Sequence, residues 1–373
     1  PTPRGKRYLH DTGVRVPMLI RVPERWKSVS PFTGGAATDE LVSFVDLAPT
    51  LLSLCGIEVP SQMQGRPFLG KQRVEPSKDG AVFLYADRFD GVVGMRRGLR
   101  DKRYKYIRRF TPHLPAAPYS QYSLGVPSWK AWQESWKNQK LTEQFAAIWQ
   151  TPQPNEMLFD TIADPWEINN LATNPEFGGR LFGMRRQLQQ LMISINDSSI
   201  VPESLFEELM NDGTIHDYLL STDGLVARRT YCAFSASDGN PESLPDLAHQ
   251  LESSPDPVIH YWSLSGLQLH GQAARKHVDK IRARLEDNLP AIRIAAAQAL
   301  LATGDAETGR TALLSEFQPP YDKSAGTTIQ LINAAQQAGL ENDIPQQWVQ
   351  HILENKQKIK HIQQFAERIV NER

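Results

Sequence analysis

Pro257-Val258-Ile259 and Pro290-Ala291-Ile292 recur 33 residues apart, and this recurrence restricts the fold of the chain more than any other feature. A proline suits the first position of a helix, where the N–H it lacks would have no partner anyway. Each triplet therefore reads as the opening of the second helix of a pair. After the second triplet comes Ile292-Arg293-Ile294-Ala295-Ala296-Ala297-Gln298-Ala299-Leu300-Leu301, closed by Ala302-Thr303-Gly304-Asp305. Its small residues let neighbouring helices approach closely. Residues 259–271 echo it with Trp262, Leu264, Leu267, Leu269 and Gly271. A unit this short buries its apolar face only against its neighbours, so the period predicts a right-handed stack of helix pairs over 235–373. Further units are expected at 306–339 and 342–370. An ordinary helical bundle is the alternative.

The first 200 residues read differently. Residues 14–22, rich in β-branched and apolar side chains, predict a largely buried strand. A helix is expected from Asp46 to Cys55, capped by Asp46, with Pro49 in its first turn and Gly56 as its stop. Strands are expected at 81–86, 91–100, 103–110 and 157–159, joined in a small antiparallel sheet. The alternation of Tyr104 and Tyr106 with Lys105 gives that sheet one wet face. A helix over 176–195 carries Leu181, Met184, Leu188, Leu191, Met192 and Ile195 at helical spacing. Between the strands, residues 111–155 form a long excursion with Trp129, Trp132 and Trp136. It reads either as a binding wall or as a packed insertion with short helices around 128–147.

Lys and Arg number 41 against 42 Asp and Glu, so no basic field suggests a nucleic-acid partner. No apolar run approaches the roughly 18 residues of a membrane span. Two cysteines, Cys55 and Cys232, do not make a disulfide framework and read as small buried residues.

Four segments carry a family resemblance. Gly5-Lys6-Arg7-Tyr8-Leu9-His10-Asp11-Thr12-Gly13-Val14-Arg15-Val16-Pro17 resembles the type I sulfatase segment "GK…YExGxRVP". Leu41-Val42-Ser43-Phe44-Val45-Asp46-Leu47-Ala48-Pro49-Thr50-Leu51-Leu52 and Met63-Gln64-Gly65-Arg66 are similar to "VSxVDLAPTLL" and "MQGxS". Met157-Leu158-Phe159-Asp160 with Asp164-Pro165-Trp166-Glu167-Ile168-Asn169-Asn170-Leu171-Ala172 resembles the "LYDL…DPxExxNLA" ending. The order is the family's, across about residues 4–203, and the pattern looks most like bacterial sulfatases grouped with heparan N-sulfatase. Downstream, 292–305 resembles the second helix and turn of a HEAT-like repeat.

The resemblance implies an α/β alkaline-phosphatase-like fold whose C-terminal remnant is 1–75. A subdomain with an antiparallel sheet and a helix follows at 76–203, then a linker at 204–234 and HEAT-like repeats at 235–373. It implies hydrolysis of sulfate esters or sulfamates of a carbohydrate by a periplasmic or secreted enzyme. The family's formylglycine nucleophile and calcium ligands lie upstream of such a segment. Neither cysteine stands in the C/S-x-P-S-R context, so 1–373 alone is expected to be inactive.

Lys6 corresponds to the lysine that binds the cleaved sulfate, where a fixed ammonium stabilises developing negative charge. Arg88, Asp90 and His113 fall where related segments contact sugar; a guanidinium suits sulfate, a carboxylate suits hydroxyls. His10 and Asp11 depart from the usual aromatic and Glu. Asp160 and Glu167 read as turn and cap residues. A phosphodiesterase or phosphonate hydrolase of the same superfamily is one alternative. A non-catalytic protein that meets a protein partner through its helical repeats is another.

Overall fold

The structure is a computed structural model that describes residues 7–77, 80–89, 91–116, 123, 125–210, 212–355 and 360–372. The chain divides into two compact units. Pro1–Tyr85, Arg97–Arg108 and Glu156–Arg185 make the first. Ala86–Arg96, Arg109–Asn155 and Arg186–Arg373 make the second.

A short helix, α1, covers Asp11–Val14, and α2 covers Leu47–Cys55. Gly56, at φ 72°, ends α2 in the left-handed conformation that favours glycine. The cap differs from expectation. Ser43 and Asp46 form a reciprocal capping box around the preceding 3-10 turn, Phe44–Asp46. The Asp46 carboxylate takes the N–H of Ser43 at 2.9 Å and of Arg66 at 2.7 Å. Cys55 is exposed, against expectation, because it is the last residue of α2; Cys232 is buried.

The buried strand expected at 14–22 is not formed. After α1 these residues carry no strand or helix, and Val16, Leu19 and Ile20 are exposed, Leu19 at 94%. A strand pattern becomes a strand only when a neighbour takes its N–H and C=O groups, and no described segment does so here.

The four other strands form as expected: β1 Val82–Phe89, β2 Val92–Arg100, β3 Tyr104–Arg109 and β4 Glu156–Asp160. They make one sheet in the order β1-β2-β3-β4. Asp101 shapes the β2–β3 turn by accepting from the backbone N–H of Arg103 and Tyr104 at 2.8 and 2.6 Å. β3 and β4 run antiparallel, with Tyr104 opposite Asp160 and Tyr106 opposite Leu158. The wet face is absent on β3, where Lys105 to Arg109 are all buried. After β3, α3 (Pro127–Lys137) and α4 (Glu143–Ala146) make the 111–155 excursion a packed insertion. Its Trp129, Trp132 and Trp136 gather on Trp149, with centroids 6.2, 4.7 and 5.6 Å from it. α5 spans Gly178–Ser194 and buries Leu181, Met184, Leu188 and Met192 on one side.

Residues 204–234 are no linker. They hold α6 (Phe206–Met210), α7 (Ile215–Ser221) and most of α8 (Val226–Ala236). Leu205, Leu219 and Val226 are buried, and the turn that ends at Leu205 packs on the helix Ala325–Gln337. Then follow α9 (Leu244–Ser253), α10 (Pro257–His270), α11 (Val278–Arg282), α12 (Pro290–Thr303), α13 (Ala306–Ser315), α14 (Ala325–Gln337), α15 (Gln346–Glu354) and α16 (Lys360–Glu372). Pro257 and Pro290 open α10 and α12, as the recurrence requires. Helices α8, α10, α12 and α14 are successive neighbours, with α9 against α10 and α13 against α12. Packing is close enough to demand glycine. A Cβ on Gly266 would come 2.7 Å from Leu247 Cδ1, and one on Gly309 would come 2.7 Å from the Ala297 carbonyl oxygen. A second apolar cluster, with Phe317, Trp348, Ile352, Ile362 and Phe365, closes the C-terminal end.

Candidate functional site

Within the first unit, the segment that begins at Arg7 is held by a buried ion cluster. Lys105 on β3 is fully buried, and its Nζ lies 2.5 Å from Asp11 Oδ1 and 2.6 Å from Glu167 Oε1. The other Glu167 oxygen accepts the backbone N–H of Asp11 at 2.7 Å. Arg100 and Arg15 stand 3.9 Å from the Asp11 carboxylate. Two carboxylates thus meet one ammonium and two more distant guanidinium groups, which is the condition for charges to persist without water. His10 leans on Phe159, with ring centroids 5.6 Å apart. Glu167 is therefore more than a turn residue. Its backbone is held at φ 53°, and it ties the end of the motif to its start. Asp11, unusual at its place, supplies the second carboxylate. The clue in the sequence was a lysine between two tyrosines, in a strand that continues through Ile107.

The rest of the ending motif is local bonding, as expected. Asp160 Oδ1 accepts from the N–H of Ile162 and Ala163, both at 3.2 Å, and its Oδ2 pairs with Arg103. Asn170 bridges the N–H groups of Leu158 and Ala172. Beside it, Glu156 collects Tyr106 Oη at 2.5 Å and both arms of Arg185 at 2.7 and 2.5 Å. Burial raises the Glu156 pKa, but these donors outweigh it and leave the carboxyl below its usual range.

Of the four sequence candidates, Lys6 and Asp90 lie outside the described residues. Arg88, in the second unit, is engaged by Glu203, with Nε–Oε2 at 2.5 Å and Nη2–Oε1 at 3.0 Å. His113, in the same unit, lines a small cavity that its lining residues do not share with Arg88. Burial pushes the imidazole pKa down to about 4, so the ring is neutral at physiological pH. The opposite walls come from three stacked helices: Tyr261, Ser265 and Gln268 on α10, Gln298 on α12, and Gln330, Asn333 and Gln337 on α14. Asn333 is used structurally, since it donates to the Gly91 carbonyl and accepts from the Val93 N–H. Burial raises the Tyr261 phenol to about 12. Gln298 Nε2 donates to Gln337 Oε1 at 3.0 Å. The glutamines escaped the sequence reading because one or two glutamines per helix make no motif until the helices stack.

Among the described residues, no group of three His, Cys, Asp or Glu side chains converges to hold a metal ion. No helix among them is long and apolar enough to cross a membrane.

Comparison with known proteins places the sequence. Residues 4–115 match the family model "N-sulphoglucosamine sulphohydrolase, C-terminal". An ulvan-active sulfatase of Formosa agariphila is 36% identical over 211 residues, which cover 57% of this chain and 34% of that protein. The N-sulphoglucosamine sulphohydrolase of Homo sapiens is 25% identical over 230 residues, 57% of this chain and 43% of that one. An N-acetylglucosamine-6-O-sulfatase of Bacteroides thetaiotaomicron is 31% identical over 193 residues, 50% and 26%. The chain thus spans between a quarter and a half of the length of these relatives. With four motifs in the same order and these matches, the first part of the chain is similar to the C-terminal part of sulfatases.

Proposed function

We propose that the protein to which this chain belongs hydrolyses sulfate esters or sulfamates of a carbohydrate, outside the cytoplasm. The observation that carries this is the match of residues 4–115 to the sulphohydrolase C-terminal model. The relatives, whose names include sulfatases of O-linked and N-linked sulfate, support it. In this reading Lys6 contacts the sulfate as charge develops on its oxygens, and residues outside this chain supply the formylglycine nucleophile and bind calcium. The buried Lys105–Asp11–Glu167 cluster anchors the chain a few residues after Lys6. The helix pairs of 235–373 are HEAT-like repeats that pack against the sulfatase part or meet a protein partner.

In the full-length natural protein, Lys6→Ala is expected to cut turnover of a sulfate ester about 100-fold, the cost of one preorganised charge contact. The measurement is sulfate release beside thermal unfolding. A rate within about twofold of wild type, in a protein that melts normally, would remove Lys6 from the site.

A further inference from the structure

The cavity between His113 and the three stacked helices has a composition that selects its ligand. Its lining mixes aliphatic Val93, Leu114 and Ala295 with amides, hydroxyls and an imidazole that burial keeps neutral, and holds no charged side chain. A sulfate would find no cation there. A hydroxyl both donates and accepts a hydrogen bond, and primary amides present both complements side by side.

Two buried groups in the lining are unspent. Gln330 is 5% exposed and uses its Nε2 on the Ala291 carbonyl at 3.0 Å, but its Oε1 has no hydrogen-bond partner. The Oγ1 of Thr111, 4% exposed, has none either. A buried polar atom left without a partner costs about 1–3 kcal/mol, so a molecule that satisfies it is favoured by a similar amount. The space is ≈ 30 Å³. One water needs about 10–15 Å³ on such a measure. Two hydroxyl-sized groups fit, and a whole sugar ring does not.

We infer that this cavity is a saccharide subsite that takes two neighbouring hydroxyls from the edge of an uncharged sugar ring, the rest of which lies outside. Gln330, Gln268 and Ser265 bond the hydroxyls, while His113 and Tyr261 wall the site without bringing charge. The inference rests on the carbohydrate half of the function proposed above. It adds that the protein holds an unsulfated unit of its substrate on the helical part, at a lining that carries no cation of its own.

The test uses the whole 373-residue chain and saturation-transfer NMR with maltose, cellobiose and lactose, three neutral disaccharides of different hydroxyl geometry. At least one should bind. Gln330→Leu, which keeps the shape of the side chain, and Gln268→Ala, on a half-buried position, should each weaken it about tenfold. Gln268→Ala should melt as wild type, whereas Gln330→Leu, which also loses the bond to the Ala291 carbonyl, should melt lower. If none of the three binds, or if both variants bind as well as wild type, the cavity holds water only and the subsite is wrong. Sulfate release by the full-length protein is scored separately. Its absence beside intact sugar binding overturns the enzyme reading alone; its presence without sugar binding overturns the subsite alone.

Discussion

Lys105 shows how much one side chain can oblige its surroundings to do. A fully buried ammonium is tolerated only because Asp11 and Glu167 both reach it, and those carboxylates are tolerated only because it is there. Lys105→Met would leave two buried carboxylates facing each other. Breaking such a cluster from one side costs about 3–5 kcal/mol. Urea unfolding should show that loss as a lower midpoint; a loss under about 1 kcal/mol would mean that water already reaches the cluster. His113 makes a second prediction, this time in pH. The unfolded imidazole takes its proton near 6.5, whereas the folded one resists until about 4. Between those values the unfolded chain binds more protons, so acid destabilises the fold, by up to roughly 3 kcal/mol from this residue. Above pH 6.5 the contribution is constant. His113→Gln should flatten the fall in stability between pH 6.5 and 4 relative to wild type. Parallel curves would show a ring that protonates freely in the folded state.

At the scale of elements, close packing and exposed edges make opposite demands. Gly266 sits where α10 meets α9 and α8, 2.7 Å from Leu247 and 2.9 Å from Ala236 by the measure of an added Cβ. Gly266→Val should therefore cost about 1–3 kcal/mol through displaced helices, read as a lower midpoint of thermal unfolding. Leu300→Asp, at a position with no exposure, sets a charge among stacked helices and should abolish the helical unfolding transition. An unchanged melt in either variant would contradict the stacking described. The helix pairs were legible in the sequence because a stack is a local code. Proline at N1, small residues at the crossings and a fixed period each act within some thirty residues. The strands were legible too, since β1–β2 and β2–β3 are joined by short turns and each strand has a strand's composition. What could not be read were features whose partners are remote. Lys105 alternates with tyrosines as a wet-face residue would, and only Asp11, 94 positions away, together with Glu167 makes it a buried one. Residues 14–22 have a strand's composition, but composition cannot supply the neighbour that a strand requires. Of the candidate site, Arg88 and His113 were legible as chemistry and not as circumstance: Glu203 lies 115 positions from Arg88.

For the whole molecule, solubility and the order of folding follow from the same coordinates. Leu19, Phe44, Leu51 and Ile57 are exposed at 94%, 64%, 62% and 54%, an apolar load that soluble monomers rarely carry in one stretch. The 373-residue chain is expected to self-associate in sedimentation experiments, and Leu19→Lys with Leu51→Lys should reduce the association. A sharp monomer boundary for the unsubstituted chain at tens of micromolar would refute this. The two units are also interleaved along the chain, each assembled from three separate stretches. On a ribosome, the first unit has all its residues once position 185 has emerged. The second cannot close then, because Gly91 and Val93 must wait for Asn333. At about 5–20 residues per second that wait is roughly 7–30 s, during which residues 86–96 and 109–155 are already made and have nowhere to go. A chaperone that shelters this stretch during synthesis would be worth more to the yield of folded protein than any mutation that strengthens the finished fold.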